Sequence, residues 1–156
     1  MPLNKIIFSL IVLFFVVSGG VKSQKLSGTQ TIGDGIYDDY ETIKQAVVDL
    51  NEKGISDAVK FVIDSGTYEG DFTIDDISGI SASDTIVFIS ETGNSNDVVI
   101  EKEFTNSNDY LVKLNGCKYV TFKKITFKTL SVPLVKQIVL TNGASYNRFQ
   151  NCVFNA

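Results

Sequence analysis

Residues 112–127, VKLNGCKYVTFKKITF, and residues 139–154, VLTNGASYNRFQNCVF, repeat one pattern. Superposed, Val112 falls on Val139, Asn115 on Asn142, Gly116 on Gly143, Tyr119 on Tyr146, Phe122 on Phe149 and Phe127 on Phe154, always 27 residues apart. Six identities in sixteen positions compare with about one expected from average residue usage. The period recurs faintly upstream, where Val59 and Phe61 lie 27 residues before Ile86 and Phe88.

Between Gly, Asn, Asp and Ser punctuation run short segments rich in β-branched and aromatic residues: AVKFVI, GDFTI, DTIVFIS, DVVIE, YLVKL, YVTF, ITF, KQIVL and CVF. These are strand signals. A repeat holding several strands suits either an antiparallel meander or a parallel β-helix. Only the second lays each coil on the previous one, about 4.8 Å away, so that equivalent residues meet their own kind. Aromatic over aromatic, Asn over Asn and Gly over Gly match that requirement, and Asn115 and Asn142 stand where an amide ladder would run along the axis. Side-chain parity agrees. Val120 and Phe122 share one parity while Ile125 and Phe127 share the other, so both pairs reach one core only if the chain bends at Lys123 and Lys124. Gln150 and Asn151 hold the same corner one repeat later. The expectation is an all-β, right-handed parallel β-helix.

One segment, DDYETIKQAVVDLNEKG, carries helical periodicity. Ile43, Ala46, Val47 and Leu50 form an apolar stripe; Asp38 with Glu41 stands at capping-box spacing, Asp39 is a rival cap, and Gly54 is the stop. The spacing predicts an amphipathic helix from about Asp39 to Lys53, lying across the N-terminal end of the coil stack, where open backbone groups need a cap. The preceding KLSGTQTIGDGIYDDY reads as an extended arm with turns.

The chain has 156 residues, 44% of them hydrophobic, and a formal charge of -4, which bounds it to one globular domain's worth of core. A basic start, the apolar run IIFSLIVLFFVV (residues 6–17) and the small residues of SGGVKSQ describe a secretory signal peptide over residues 1–24, with an uncleaved anchor as the alternative. Residues 25–58 then form the arm and capping helix, and residues 59–156 the parallel coils. Because NCVFNA stops in mid-strand without a cap, the coils are expected to be truncated at the C-terminal end of a longer product. Cys152 falls on Ile125 and Cys117 on Ala144, different points around the repeat, which favours two free thiols over a disulfide.

No histidine is present, which removes His-based nucleophiles, proton shuttles and His-containing zinc sites. All 18 acidic residues lie between Asp34 and Asp109, while residues 110–156 carry seven bases and no acid. Such asymmetry points to an anionic partner or to two ends of one solvated surface. An acidic, exported chain does not suit nucleic acid.

The opening GDGIYDDYETIKQAVVDLNEKGISDAVKFVIDSGTYEGDFTI, with its turn, helix, strand and Gly66-Thr67-Tyr68, resembles the start of pectin lyase-like right-handed parallel β-helix proteins. SGISASDTIVFISETGNSNDVVI and the Asn-Gly coils are similar to the N-terminal β-helix modules of large secreted bacterial surface proteins, many exported by the type IX route. The resemblance implies a fold that serves lyases, hydrolases, esterases and inert adhesin stalks alike.

Glycoside hydrolysis on this fold needs paired carboxylates, pectin esterases resemble such enzymes in needing acids on the middle coils, and the coils from residue 110 onward have none. Lyase chemistry needs a base beside a metal-polarised carboxylate. Lys123, Lys124, Lys128 and Arg148 are the basic candidates, either for a base or for contacts to anionic polysaccharide, with solvated corners as the structural alternative; Asp97, Glu101, Glu103 and Asp109 are the acids that could lie one coil below. Asp34, Asp38 and Asp39, and the pair Asp75 and Asp76, offer oxygen ligands of the kind calcium takes, but capping and turn formation account for them too, so no cofactor is assigned. The aromatic pairs are read as core stacks, with a sugar platform as the alternative. Together these features point to a non-catalytic structural or adhesive module of a secreted or cell-surface protein. The alternative is the N-terminal part of a polysaccharide lyase or related pectin-active enzyme, with its active site in further coils.

Overall fold

The computed structural model describes residues 24–103, 110–130 and 136–155; the expected signal peptide lies almost wholly outside them. Among these residues twelve strands and one helix follow one another in the order β1 (Leu26–Ile32), α1 (Ile43–Lys53), β2 (Ile55–Ile63), β3 (Gly66–Glu69), β4 (Phe72–Ile74), β5 (Ile86–Ser90), β6 (Val98–Lys102), β7 (Tyr110–Asn115), β8 (Val120–Lys123), β9 (Thr126–Thr129), β10 (Lys136–Thr141), β11 (Arg148–Gln150) and β12 (Val153–Asn155). They assort into three sheets, ordered β1-β2-β5-β8-β11, β3-β6-β9-β12 and β4-β7-β10, here called the first, second and third faces. Every pairing is parallel. The chain therefore winds as a right-handed parallel β-helix of about four turns, each lap adding one strand to each face.

The aromatic repeat becomes a column through the core. Phe61 pairs with Phe88, Phe88 with Phe122 and Phe122 with Phe149 in strand register. Their rings stack at 4.6, 5.1 and 5.5 Å. Phe127 and Phe154 form a second column at 5.2 Å, and Phe122 meets Phe127 edge-on across the core at 5.6 Å. Offset stacks and edge contacts are the arrangements that ring quadrupoles favour. The expected bends are equally literal: Lys124 (φ 56) and Asn151 (φ 52) turn the first face into the second through left-handed backbone. For Lys124 that conformation costs about 1–2 kcal/mol, less for Asn.

The amide ladder runs with a direction. Asn142 Nδ2 donates to Asn115 Oδ1 at 2.6 Å, and Asn115 Nδ2 donates to Asp75 Oδ1 at 2.7 Å. Each amide donates toward the N-terminal coil and accepts from the next; an ionised carboxylate only accepts, so Asp75 can stand at the base of the ladder and nowhere above it. On the third face the sequence alignment needs one correction. Strand register there pairs Val112 with Ile138 and Leu114 with Leu140, an offset of 26, while the bridge from Lys118 to Ser145 restores 27. One extra residue is absorbed around Thr141 and Asn142, where Asn142 takes positive φ.

The helix caps the stack, beginning later than its acidic residues suggested. Thr42 is the N-cap, its hydroxyl accepting from Gln45 N while Gln45 Oε1 accepts from Thr42 N. Asp38 and Asp39 are occupied elsewhere: Asp38 Oδ2 accepts from Gly35 N at 2.8 Å, and Asp39 Oδ2 accepts from Thr31 N at 2.8 Å. At the other end Gly54 has φ 66, and a Cβ there would lie 2.5 Å from Ser78 O, so both backbone conformation and space demand glycine. Ile43, Ala46, Val47 and Leu50 are buried, packed toward β1, β3 and β4. Asn51 closes the open edge of β4 as a strand would: its Nδ2 donates to Thr73 O at 2.9 Å and its Oδ1 accepts from Asp75 N at 3.0 Å. The arm is also more ordered than expected. Its residues 26–32 form β1, which pairs with β2 and closes the first face; only Leu26 and Ile32 are buried there, so no apolar alternation announces the strand.

Burial across the two aromatic columns predicts a gradient. Phe88→Ala, flanked on both sides by rings, should lower the urea-unfolding free energy by about 3–5 kcal/mol. Phe154→Ala, at 48% exposure, should cost well under half as much. Equal losses would contradict columns graded by burial.

Candidate functional site

On the first face, alternate residues point outward and stack coil on coil. Val87, Thr121 and Arg148 are in register along one line, and Ile89, Lys123 and Gln150 along the next. Tyr119 and Tyr146, at the bends that precede β8 and β11, form a third line, their rings 5.1 Å apart and 8° from parallel. These lines border a groove of 490 Å³ whose lining includes Tyr119, Tyr146, Thr121, Lys123, Arg148 and Gln150, with Ala82 and Thr85 at the N-terminal side. Among the described residues no carboxylate lines it, so the two cations set its potential.

The four basic residues singled out by sequence do not share one surface. Lys123 and Arg148 both line the groove, on adjacent coils and two positions apart in register. Lys124 leaves it at the corner: its ammonium lies over Gly93, where a Cβ would come within 3.1 Å of Lys124 Nζ. Lys128 is on the second face and pairs with Glu101 at 3.1 Å. Glu101 does lie one coil below Lys128, in register. The second face is thus an ion-pair surface. Lys44 meets Glu69 at 3.1 Å and holds its carboxyl below the usual range, chiefly through that hydrogen bond and charge; Lys102 bridges Glu69 and Asp71.

Most of the acidic groups singled out by sequence have structural partners. Asp97 closes its own loop, accepting from Thr92 Oγ1 at 2.6 Å and Asn94 Nδ2 at 3.0 Å. Asp38, Asp39 and Asp75 accept the bonds already described. Among the described residues, no group of three or more His, Cys, Asp or Glu could hold a metal ion. Asp109 lies outside the described residues.

The tyrosine pair is what the sequence reading assigned to the wrong surface. It grouped Tyr119 and Tyr146 with the core stacks, yet Tyr146 is 70% exposed and both border the groove. Parity carried the signal: Tyr119 is odd, like the outward Thr121 and Lys123, whereas Val120 and Phe122 are even and buried. Tyrosine where the inward columns carry phenylalanine was a second clue. Asn147, which also lines the groove, is committed to the backbone: its Oδ1 accepts from Val120 N and its Nδ2 donates to Cys117 O, both at 3.0 Å.

Both cysteines are free. Cys117 is fully buried, and desolvation pushes its thiol up to about 12; burial also raises Cys152.

Two crystal structures resemble this chain. Both are of the pectin methylesterase from Aspergillus niger, in penultimately deglycosylated and deglycosylated forms, at 21% and 20% identity and a TM-score of 0.59 each. The match covers 83% of this chain and 43% or 44% of theirs, so this chain spans less than half their length. Likeness at this identity concerns the fold. No protein-family model matches the chain, and no curated protein does.

A thiolate is the reacting form of cysteine. At pH 8, a disulfide-exchange reagent should therefore leave Cys117 unmodified in the folded chain and label both thiols in guanidinium. Labelling of fewer than two after unfolding, without reductant, would reveal a disulfide.

Proposed function

We propose that this chain is a non-catalytic structural or adhesive β-helix module of a secreted or cell-surface protein, and that its first face contacts anionic polysaccharide. The observation that supports this most is the groove's lining: two cations, Lys123 and Arg148, beside two tyrosines, with no carboxylate among the described residues that border it. Arg offers a planar fork suited to carboxylate or sulfate, and Lys a mobile point charge. Thr121 and Gln150 add groups that can bond sugar hydroxyls. Glycoside and ester hydrolysis on such a surface would need acids that the groove lacks, and lyase chemistry would need a metal-binding acid beside the base. The rigid, stacked scaffold suits display of a fixed charge pattern more than closure around a substrate.

A pectin-active enzyme is the second reading, favoured by the fold shared with pectin methylesterases. It requires catalytic groups beyond those that line the groove. Release of methanol from methylated pectin, or of unsaturated ends from polygalacturonate, would establish it.

Charge-driven contact has a salt signature, since the screening length falls from about 10 Å at 0.1 M to about 3 Å at 1 M ionic strength. Polygalacturonate binding should weaken over that range. Lys123→Ala with Arg148→Ala should lower affinity about tenfold at 0.1 M salt, a loss of about 1.4 kcal/mol. Lys128→Ala, on the other face and paired with Glu101, should leave it unchanged. Equal binding of a neutral glycan, or indifference to the double substitution, would count against the reading.

The proposed export would place that partner outside the cell, and it has its own check. The mature chain, recovered from a secreting host, should begin between Gly19 and Lys25 by intact mass. Retention of the apolar run at residues 6–17 would mean that the segment is an anchor.

A further inference from the structure

The tyrosine line is the part of the groove that charge does not explain. Tyr119 and Tyr146 both take left-handed backbone, with φ of 55° and 58°, a region that disfavours bulky side chains. The same coils fill their other left-handed bends with Gly116, Asn142, Gly143 and Asn151, alongside Lys124, so residues better suited to the conformation are used close by. Burial does not compensate at Tyr146, which is largely exposed, and Tyr119 is only partly buried. The two rings do stack on each other at 5.1 Å, but their hydroxyls tie nothing down: among the described residues neither has a hydrogen-bond partner. Two strained aromatic residues, repeated on successive coils and turned to a groove, are poorly explained as structure. Backbone strain of this sort is often kept where a side chain meets a ligand.

We infer that Tyr119 and Tyr146 form a carbohydrate subsite, giving a pyranose ring of the acidic glycan an apolar wall beside the cations. The inference rests on the polysaccharide reading above and deepens it. An aromatic ring contacts the C–H face of a sugar without needing charge. Arg148, two residues along from Tyr146 on the same coil, and Lys123, one coil back, stand ready for the acid group of the same or the next residue. Gln150 and Thr121, whose side chains have no partner among the described residues, remain for hydroxyls. The groove then separates two kinds of contact, one that salt screens and one that it does not.

Two substitutions separate this role from a structural one. Tyr119→Asn with Tyr146→Asn relieves the backbone while removing the rings. Its urea midpoint should hold or rise, while polygalacturonate binding in 1 M salt, where the cations are screened, should fall about tenfold. Tyr119→Phe with Tyr146→Phe keeps the rings and should keep most of that salt-resistant binding. Unchanged binding by the Asn variant at both salt concentrations would overturn the subsite and leave the charge-based reading standing. A lowered midpoint with binding intact would assign the rings to the fold. If the wild-type chain fails to bind polygalacturonate even at 0.1 M salt, the polysaccharide reading itself falls, and the subsite with it.

Discussion

Parallel pairing between successive coils is the constraint on which everything else in this molecule rests. Because a residue's neighbour along the axis is the equivalent residue of the next lap, about 4.8 Å away, each position must be able to meet its own kind. Phenylalanine can, through offset stacking, and four of them line the core from Phe61 to Phe149. Asparagine can, because its side chain is both donor and acceptor. Carboxylates meet less well: Glu69 and Glu101 are in register on the second face, and that juxtaposition is offset by Lys44, Lys102 and Lys128. The rule that builds the core thus also decides which charges the surface can carry.

Stacking also creates an end problem, solved differently on each face. The first face is closed by a strand, since β1 donates a full parallel partner to β2. The third is closed by Asn51, whose amide supplies both halves of a peptide's hydrogen bonding to β4. Near the second, Lys44 reaches from the helix to Glu69 on β3. A single helix therefore performs polar satisfaction and apolar coverage together, which is why its stripe is narrow and its flanks are polar.

On the outward face the same register produces a pattern with functional meaning. Lines of tyrosine, arginine with threonine, and lysine with glutamine lie side by side as a direct result of coil length and parity. Acids are confined to the N-terminal part of the chain and bases dominate from residue 110 onward, so the charge segregation of the sequence becomes a gradient along the axis. The groove sits at its basic end.

The architecture was legible from residues 112–154 because stacking writes itself into sequence as identity at a fixed period, and the bends at Lys123–Lys124 and Gln150–Asn151 were legible from a switch in parity. The apolar stripe located the helix. Its cap was misread because Asp38 and Asp39 outcompete Thr42 on paper, and only the turn around Gly35 and Thr31 shows where those carboxylates are engaged. Strand β1 escaped notice because an edge strand with two buried residues lacks alternation; its order comes from a partner some thirty residues away in the chain. The one-residue slip on the third face is likewise invisible to an ungapped alignment. For the site, sequence named the cations, but sequence distance could not say which of them share a surface: Lys123 and Lys124 are adjacent in the chain and diverge at a corner, while Lys123 and Arg148, 25 positions apart, border one groove. Identity and period are properties of the chain and survive in one dimension. Shared surface is a property of how laps align, and that is decided only once strand register and bend geometry are fixed.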